Sequence, residues 1–566
     1  MEKWRRVLAF GAMTAMLAFV SACSSGNSGD SGSSDKAGNP ESANKGQNEA
    51  PSTDPADTNK QVVELTTVRG NPSDIKWDPG ENMDKNAVYD AYEKDLGIRI
   101  KNVWVADSKQ LQQKLNMMIA SNDIPDFFSV DQMQLQQLIE ADMIMDITDV
   151  FEQYATEETK AWYTKDGGRQ LKSAKADGRL MAIPLSDSPY NSSSYLWVRK
   201  DWLQKLNLPE PKTMQDVLKI SEEFTKQDPG GTGKSYGMTL HKDLLNEYGL
   251  TGFFNGYHAY PQSWKKDADG KLAYGSIQPE VKVALKQLQD MYKSGQIDPE
   301  FGTKDPDKEN ELVAGDKIGM AYGAFWLSAW PLESAAIKEG KLVQDWEVYP
   351  LPSIDATPAK TQVGLGVNGY VVISKDCKNP EAVIQILNQW VKLSQNISKE
   401  EKVYMHGKEL VDKGKLYFKI NPIRLFSQDG NVQAGAILPK AIEAKDPSLL
   451  NENPDMTNRY DAVQRYLQGD MTGWLNWMIA KPGGSMAIMN QYLQEDRYQM
   501  DEFYGAPTIT MQEKKSVLDA KEKEVFTKII MNQVSIDEFD KFVEEWKSLG
   551  GEKITQEVNE WYASQK

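Results

Sequence analysis

The sequence predicts an α/β protein of two lobes, each an open, mainly parallel sheet flanked by helices, with a helical C-terminal region. Three observations lead there. Strand and helix patterns alternate from residue 62 onward. The chain beyond residue 60 holds roughly 500 residues, more than one hydrophobic core accommodates. No apolar run in that stretch reaches membrane-spanning length.

The first 60 residues belong to neither lobe. MEKWRRVLAFGAMTAMLAFVSA places Lys3, Arg5 and Arg6 ahead of an apolar core at 7–20, with small Ser21 and Ala22 after it. That is the anatomy of a secretory leader at 1–22, too short and too poorly flanked for a spanning helix. Residues 23–60 open on Cys23 and are rich in Ser, Gly, Asn, Pro, Asp and Lys. Such a segment cannot bury enough surface to offset chain entropy. It is expected to be a disordered tether, with its ends about 30–40 Å apart.

VVELTTVRG (62–70) reads as an opening strand, and NAVYDAYEKDLGIRIKNVWV as a helix, a stop at Gly97 and a second strand, together a βαβ unit. LQQKLNMMIASNDIPDFFSVD gives a helix, a turn at Asn122-Asp123 and a short strand; residues 132–141 are helical again. GRLMAIP (178–184) is hairpin-like and ends at Pro184, before a polar loop of Ser, Asp, Asn and Tyr. SYLWVR then runs into a helix, and Thr213 caps the next one, with Asp216 in the place where a capping box usually has Glu or Gln. WKKDADGKLAYG (264–275) is a hairpin turning at Asp-Gly. Residues 280–294 form an amphipathic helix ended by Gly295, and Pro380 opens another over PEAVIQILNQWVKL. GKLVQDWEVYPLPS and VGLGVNGYVVIS supply further strands, and the last 100 or so residues are mainly helical.

Lys and Arg number 65 against 82 Asp and Glu, a net charge of −17; removal of the leader, which carries +2, leaves −19. This balance disfavours nucleic acid and anionic lipid headgroups as partners. The only other cysteine is Cys377, so a chain acylated at Cys23 has no intrachain disulfide.

Motifs for catalysis and metals are weak. DPGGTGKSYG (228–237) ends like a phosphate loop, but the first glycine should fall at Asp228 and the stretch follows a helix rather than a strand. Read as a calcium loop it has Asp228 first and Gly233 sixth, yet Gly230, Thr232 and Thr239 occupy ligand positions three, five and twelve. A plain Gly-rich loop is the better reading, and no metal or cofactor is expected. The three histidines, His241, His258 and His406, make no HExxH or His/Cys cluster, and there is no G-x-S-x-G. A glycosidase needs two carboxylates, and nothing singles out a pair among 82 acids.

The aromatics carry more. The chain has 15 Trp and 23 Tyr, several beside Gly, Pro, Ser or Asn. Trp77 follows a Pro-containing loop, Tyr190 lies in the Ser/Asn loop, Trp326 and Trp330 in GAFWLSAWPL, and Trp474 and Trp477 in GDMTGWLNWM. Aromatic faces stack on the C–H faces of sugar rings, while Asn, Asp, Arg and Gln bind hydroxyls. Any one of these tryptophans is better read as core or lobe-surface packing, but as a set the loop-placed rings near Gly and Asn favour a carbohydrate cleft.

Val20-Ser21-Ala22-Cys23 resembles the bacterial lipobox, whose cysteine is lipidated on sulfur. SNDIPD (121–126), GRLMAIP (178–184), LWVRKDWLQKLNLPEPKTMQDV (196–217), GYVVISKDCKNPEAVIQILN (369–388) and the tail IIMNQVSIDEFDKFVEEWKSLGGEKITQEVNEWY (529–562) extend the likeness. Together these resemble the extracellular solute-binding proteins of ABC importers, in the group-1, oligosaccharide-type lipoprotein class. The resemblance implies a periplasmic-binding-protein-like, type II-like fold that closes over its ligand. It implies lobe one at 61–185 plus 366–430 and lobe two at 190–355 plus 435–566, with crossings near 185–195, 352–368 and within 415–445. It also implies an oligosaccharide ligand, ABC permease subunits as partners, a lipid anchor on the extracytoplasmic face, a monomer and no catalysis. Many relatives carry an acid-rich calcium loop where this chain has DPGGTGKSYG.

The ligand contacts expected are Trp77, Phe127, Asp131, Tyr190, Asn191, Trp326, Trp330, Asn368, Arg424 and Trp474, at strand ends and crossing loops, with no catalytic residue among them. Two other readings compete. A peptide-binding importer component or peptide-sensing lipoprotein would need a carboxylate or backbone clamp and a larger inserted domain, which the sequence does not show. A secreted carbohydrate-active enzyme would need two acids facing each other across the cleft.

Overall fold

The computed structural model describes residues 62–565 apart from 74, 396, 399, 407–415 and 452. The leader at 1–22, Cys23 and the tether lie outside these residues. Among the described residues no helix is long and apolar enough to cross a membrane.

The chain opens with β1 (Val63–Asn71), α1 (Ala87–Leu96) and β2 (Ile98–Asp107), the two strands paired in parallel. Asn86 caps α1 by accepting from Tyr89 N–H, and Gly97 ends it with φ +71°, a left-handed conformation that costs glycine nothing. Next come α2 (Ser108–Ser121), β3 (Phe127–Val130), α3 (Gln132–Glu140) and β4 (Ile183–Ser186).

A second body begins with β5 (Tyr195–Arg199), α4 (Met214–Gln227) and β6 (Tyr236–Met238). It continues through α5 (Pro279–Lys293), β7 (Ile318–Gly323), β8 (Trp346–Tyr349) and β9 (Thr361–Val363). The chain then returns to the first body as β10 (Val367–Ile373) and α6 (Pro380–Gln395). It crosses again into α7 (Gly430–Ala444), α8 (Ser485–Gln494), β11 (Tyr498–Met500) and α9 (Ile509–Ile530).

The fold is two-lobed α/β, and its sheets are mixed. β1–β2, β6–β7 and β9–β11 pair in parallel. In contrast, β10 runs antiparallel between β3 and β4, and β5 runs antiparallel between β7 and β8. The reason is topological: strands that leave one lobe and re-enter from the other come back in the opposite direction. Tyr370, Val371, Val372 and Ile373 of β10 are all buried, as a strand covered on both faces requires.

The apolar side chains of 65–183 and 370–425 form one core. Those of 195–363 and 432–558 form the others. Three segments therefore pass between bodies, near 186–195, 364–369 and 425–432. The expected capping box is present, with Thr213 and Asp216 bonding each other's backbone N–H. Cys377 is buried, and burial pushes its thiol up to about 11, so it is an inert packing residue.

Candidate functional site

The polar loop after β4 meets both other crossings. One oxygen of the Asp187 carboxylate accepts from Asn191 Nδ2 at 2.9 Å, and the other from Asn368 Nδ2 at 2.8 Å. Asn431, at the start of α7, donates to Asn191 Oδ1 at 2.8 Å. One carboxylate and three amides thus join all three crossings in a chain of side-chain hydrogen bonds. None of the four residues is fully buried, so each keeps polar capacity toward solvent.

Aromatic rings flank this floor. Tyr190 packs on Tyr498 with centroids 4.5 Å apart. Trp326 and Trp330 lie 6.5 Å apart, and Trp330, 40% exposed, meets Tyr248 edge-on at 5.7 Å. Glu247 is solvent-accessible yet crowded. That crowding pushes its carboxyl above the usual range, the Asp187 charge adds to the effect, and the Trp326 indole opposes it. Two further residues not anticipated from sequence are Asn431 and Phe426. Phe426 is 40% exposed, and its N–H bonds to Ser186 O at 2.8 Å, beside Asp187.

On the first body, Arg69 stands at the carboxyl end of β1, the edge where ligands meet parallel strands. Its guanidinium donates to the carbonyls of Lys419, Ile420 and Asn421 at 2.8–3.2 Å. Trp77, in the loop after β1, lies 5.8 Å from Tyr417, centroid to centroid. Arg424 follows in the extended segment, where Ile423 and Leu425 are buried while Arg424 and Phe426 face the other way.

The ten expected contacts therefore divide. Tyr190 and Asn191 lie in the first crossing and Asn368 bonds to it, Trp326 and Trp330 pair with each other on the second body beside Tyr248, and Trp77 and Arg424 lie on the first body. Two are corrected by burial. Phe127 is 1% exposed inside the first core, because it is the leading residue of a strand paired to Ile373. Trp474 is also 1% exposed, since its helical position turns inward among Met478, Ile488 and Tyr492. Asp131 is occupied as the N-cap of α3, accepting from Gln134 N–H at 2.8 Å in a full capping box.

The Gly-rich loop at 228–237 is closed by its own acid. Asp228 accepts from Gly233 N–H at 2.8 Å and from Ser235 Oγ at 2.7 Å, so its oxygens serve the turn. Among the described residues no group of three or more His, Cys, Asp or Glu side chains is placed to hold a metal ion.

A polygalacturonan/rhamnogalacturonan-binding protein of Bacillus subtilis, YtcQ, is 23% identical over 486 residues, 84% of this chain and 87% of its own. Lipoprotein LipO of the same organism is 23% identical over 502 residues, 86% of this chain and 91% of its own. The solved structure of the S. pneumoniae ABC-transporter substrate-binding protein FusA in complex with kestose superposes with a TM-score of 0.59 at 17% identity. It covers 89% of this chain and all of that one, which shows the shared fold. The family model for bacterial extracellular solute-binding proteins matches residues 80–392, more than half of the chain. The chain belongs to the bacterial extracellular solute-binding protein family, whose members bind substrates rather than transform them.

Proposed function

We propose that this chain is the substrate-binding component of an ABC importer and captures an oligosaccharide between its lobes. The observation that carries the reading is the Asp187–Asn191–Asn368–Asn431 network, which spans all three crossings with Tyr190, Trp326 and Phe426 around it. Carboxylate and amide groups accept and donate to sugar hydroxyls, while the rings stack on apolar C–H faces. The names of the relatives agree in kind: YtcQ is named for binding polygalacturonan and rhamnogalacturonan, and FusA was solved in complex with kestose.

The lobes proposed are 61–185 plus 366–430 and 190–355 plus 435–566, supported by the separation of the hydrophobic cores. Ligand touching both lobes stabilises the closed arrangement over the open one, and the difference in contacts sets how far the population shifts. The closed monomer then docks on its permease. The protein is held to the outer face of the membrane by lipid on Cys23, a reading that rests on the lipobox and on the lipoprotein name of LipO.

A thermal-shift screen of the full-length protein against plant and microbial oligosaccharides, with peptide pools in parallel, tests this. Ligand at 100 times its Kd stabilises by about 2.7 kcal/mol, a shift of a few degrees. A glycan that shifts melting and is recovered intact supports the proposal. A shift with peptides only, or a cleaved glycan, overturns it.

A further inference from the structure

The oligosaccharide reading leaves open what kind of sugar the site prefers. Two cations on the cleft edge of the first lobe bear on that question. Arg69 ends β1, and its guanidinium is held by three main-chain carbonyls, those of residues 419–421, rather than by an acid. Arg424 lies three residues beyond this turn, on the same side of the extended segment as exposed Phe426. Among the described residues Arg424 makes no hydrogen bond and no ion pair.

That is unusual company for a partly buried guanidinium. Elsewhere in this chain, buried arginines are paired: Arg199 meets Asp201 and Asp316 at 2.7 and 2.6 Å, and Arg497 donates to Ala359 O and Leu351 O. Burial pulls the Arg424 pKa down to about 10 and the neighbouring Arg69 charge pulls the same way, with no carboxylate to offset either. Two like charges side by side, one without any partner, are unfavourable in a protein carrying −17 overall and no shortage of acids. The arrangement is balanced when something anionic arrives from outside. A guanidinium fork fits a carboxylate with two parallel N–H···O bonds.

We propose that Arg424, with Arg69 beside it, forms a subsite for the carboxylate of an acidic sugar, so that the protein selects uronic-acid-containing oligosaccharides over their neutral counterparts. Phe426, two residues on and facing the same way, stacks against the ring that bears the carboxylate. The subsite rests on the oligosaccharide reading and narrows it.

Titration calorimetry of the full chain with a panel of oligouronides, each paired with its carboxyl-reduced neutral form, tests the subsite. The expected result is tenfold or greater preference for the acidic member of a pair. Arg424→Gln should weaken binding of that uronide at least tenfold more than binding of the neutral form, so that the acidic preference is lost. Arg424→Lys should keep part of the preference, because it retains charge without the fork. The wild-type comparison stands even where a variant fails to fold. Equal binding of acidic and neutral members, binding of neutral glycans alone, or equal loss of both ligands in Arg424→Gln overturns the subsite and leaves the oligosaccharide reading intact. Binding of peptides alone overturns both.

Discussion

Gln428 Nε2 donates to Gln170 Oε1 at 2.8 Å, and Gln170 Nε2 in turn faces the carbonyls of Asp187, Leu365 and Gly366 at 3.0, 3.1 and 2.7 Å. One fully buried glutamine of the first lobe thus touches all three crossing segments. Gly366 adds to the closeness: at φ +74° a Cβ there would stand 2.6 Å from Asp187 O. The joint between the lobes is tied from its core side by Gln170, beneath the Asp187 network on its open side.

Replacing Gln170 by Leu removes the donor from these buried carbonyls and leaves the Gln428 amide only a 3.4 Å bond to Trp162 O. The expected loss is roughly 1–3 kcal/mol of stability, since buried polar groups are left without partners. Calorimetric unfolding measures it. Because the residue lies beneath the crossings rather than at the cleft, affinity per folded molecule should change less than stability does.

Arg199 is the second point of weakness. It is buried between Asp201 and Asp316, with Trp202 4.5 Å from its guanidinium on one side. Arg199→Met leaves Asp201 and Asp316 without their shared cation and should cost about 1–3 kcal/mol, less than for a fully buried pair because the two acids are 35% and 40% exposed. Denaturant unfolding of the variant gives the number. A loss below about 1 kcal/mol would mean that the pair is solvated in solution.

Stability should also fall with rising pH through the buried carboxyl of Glu309. It accepts from Leu240 N–H with one oxygen, has its other oxygen unpartnered, and burial raises its pKa from 4.5 to about 8. An acid whose folded pKa exceeds its unfolded value binds more protons when folded, so stability declines between about pH 4.5 and pH 8. Melting curves across that range should show the decline, and Glu309→Gln should flatten it while raising the melting temperature at pH 8 by a few degrees. An unchanged slope in the variant assigns the effect to other groups.

Much of this fold is legible in the sequence. Gly97 and Asn122 stop helices in left-handed turns, Thr213 and Asp216 form the box their spacing announces, and the hairpin at 264–275 turns at Asp-Gly. The antiparallel course of β10 is not legible, because strand residues look alike whichever direction the neighbour runs. At the site, loop aromatics such as Tyr190 and Trp326 stand out beside Ser, Asn and Gly. Phe127 and Trp474 share that local composition and differ only in pointing inward, which is decided by tertiary packing. Asp187 is one acid among 82, made special only when the crossings bring Asn191 and Asn368 to its two oxygens. Phe426 sits in Ile-Arg-Leu-Phe, where the alternation that exposes it is hidden by three apolar residues of four.

The aromatic walls should separate affinity from folding. Phe426→Ala removes an exposed ring, so melting should shift little while glycan affinity falls about tenfold or more, the value of one stacked aromatic face. Equilibrium binding and melting of the same preparation check both halves. A large loss of stability with unchanged affinity places Phe426 in the core rather than at the ligand.

The most direct measurement is calorimetric titration of the full chain and of Trp326→Ala with the oligosaccharide that shifts melting, followed by chromatography of the recovered ligand. The account predicts one saturable site per chain, at least tenfold weaker in the variant, and glycan returned at its original length. Cleaved product, or equal affinity in both proteins, would contradict it.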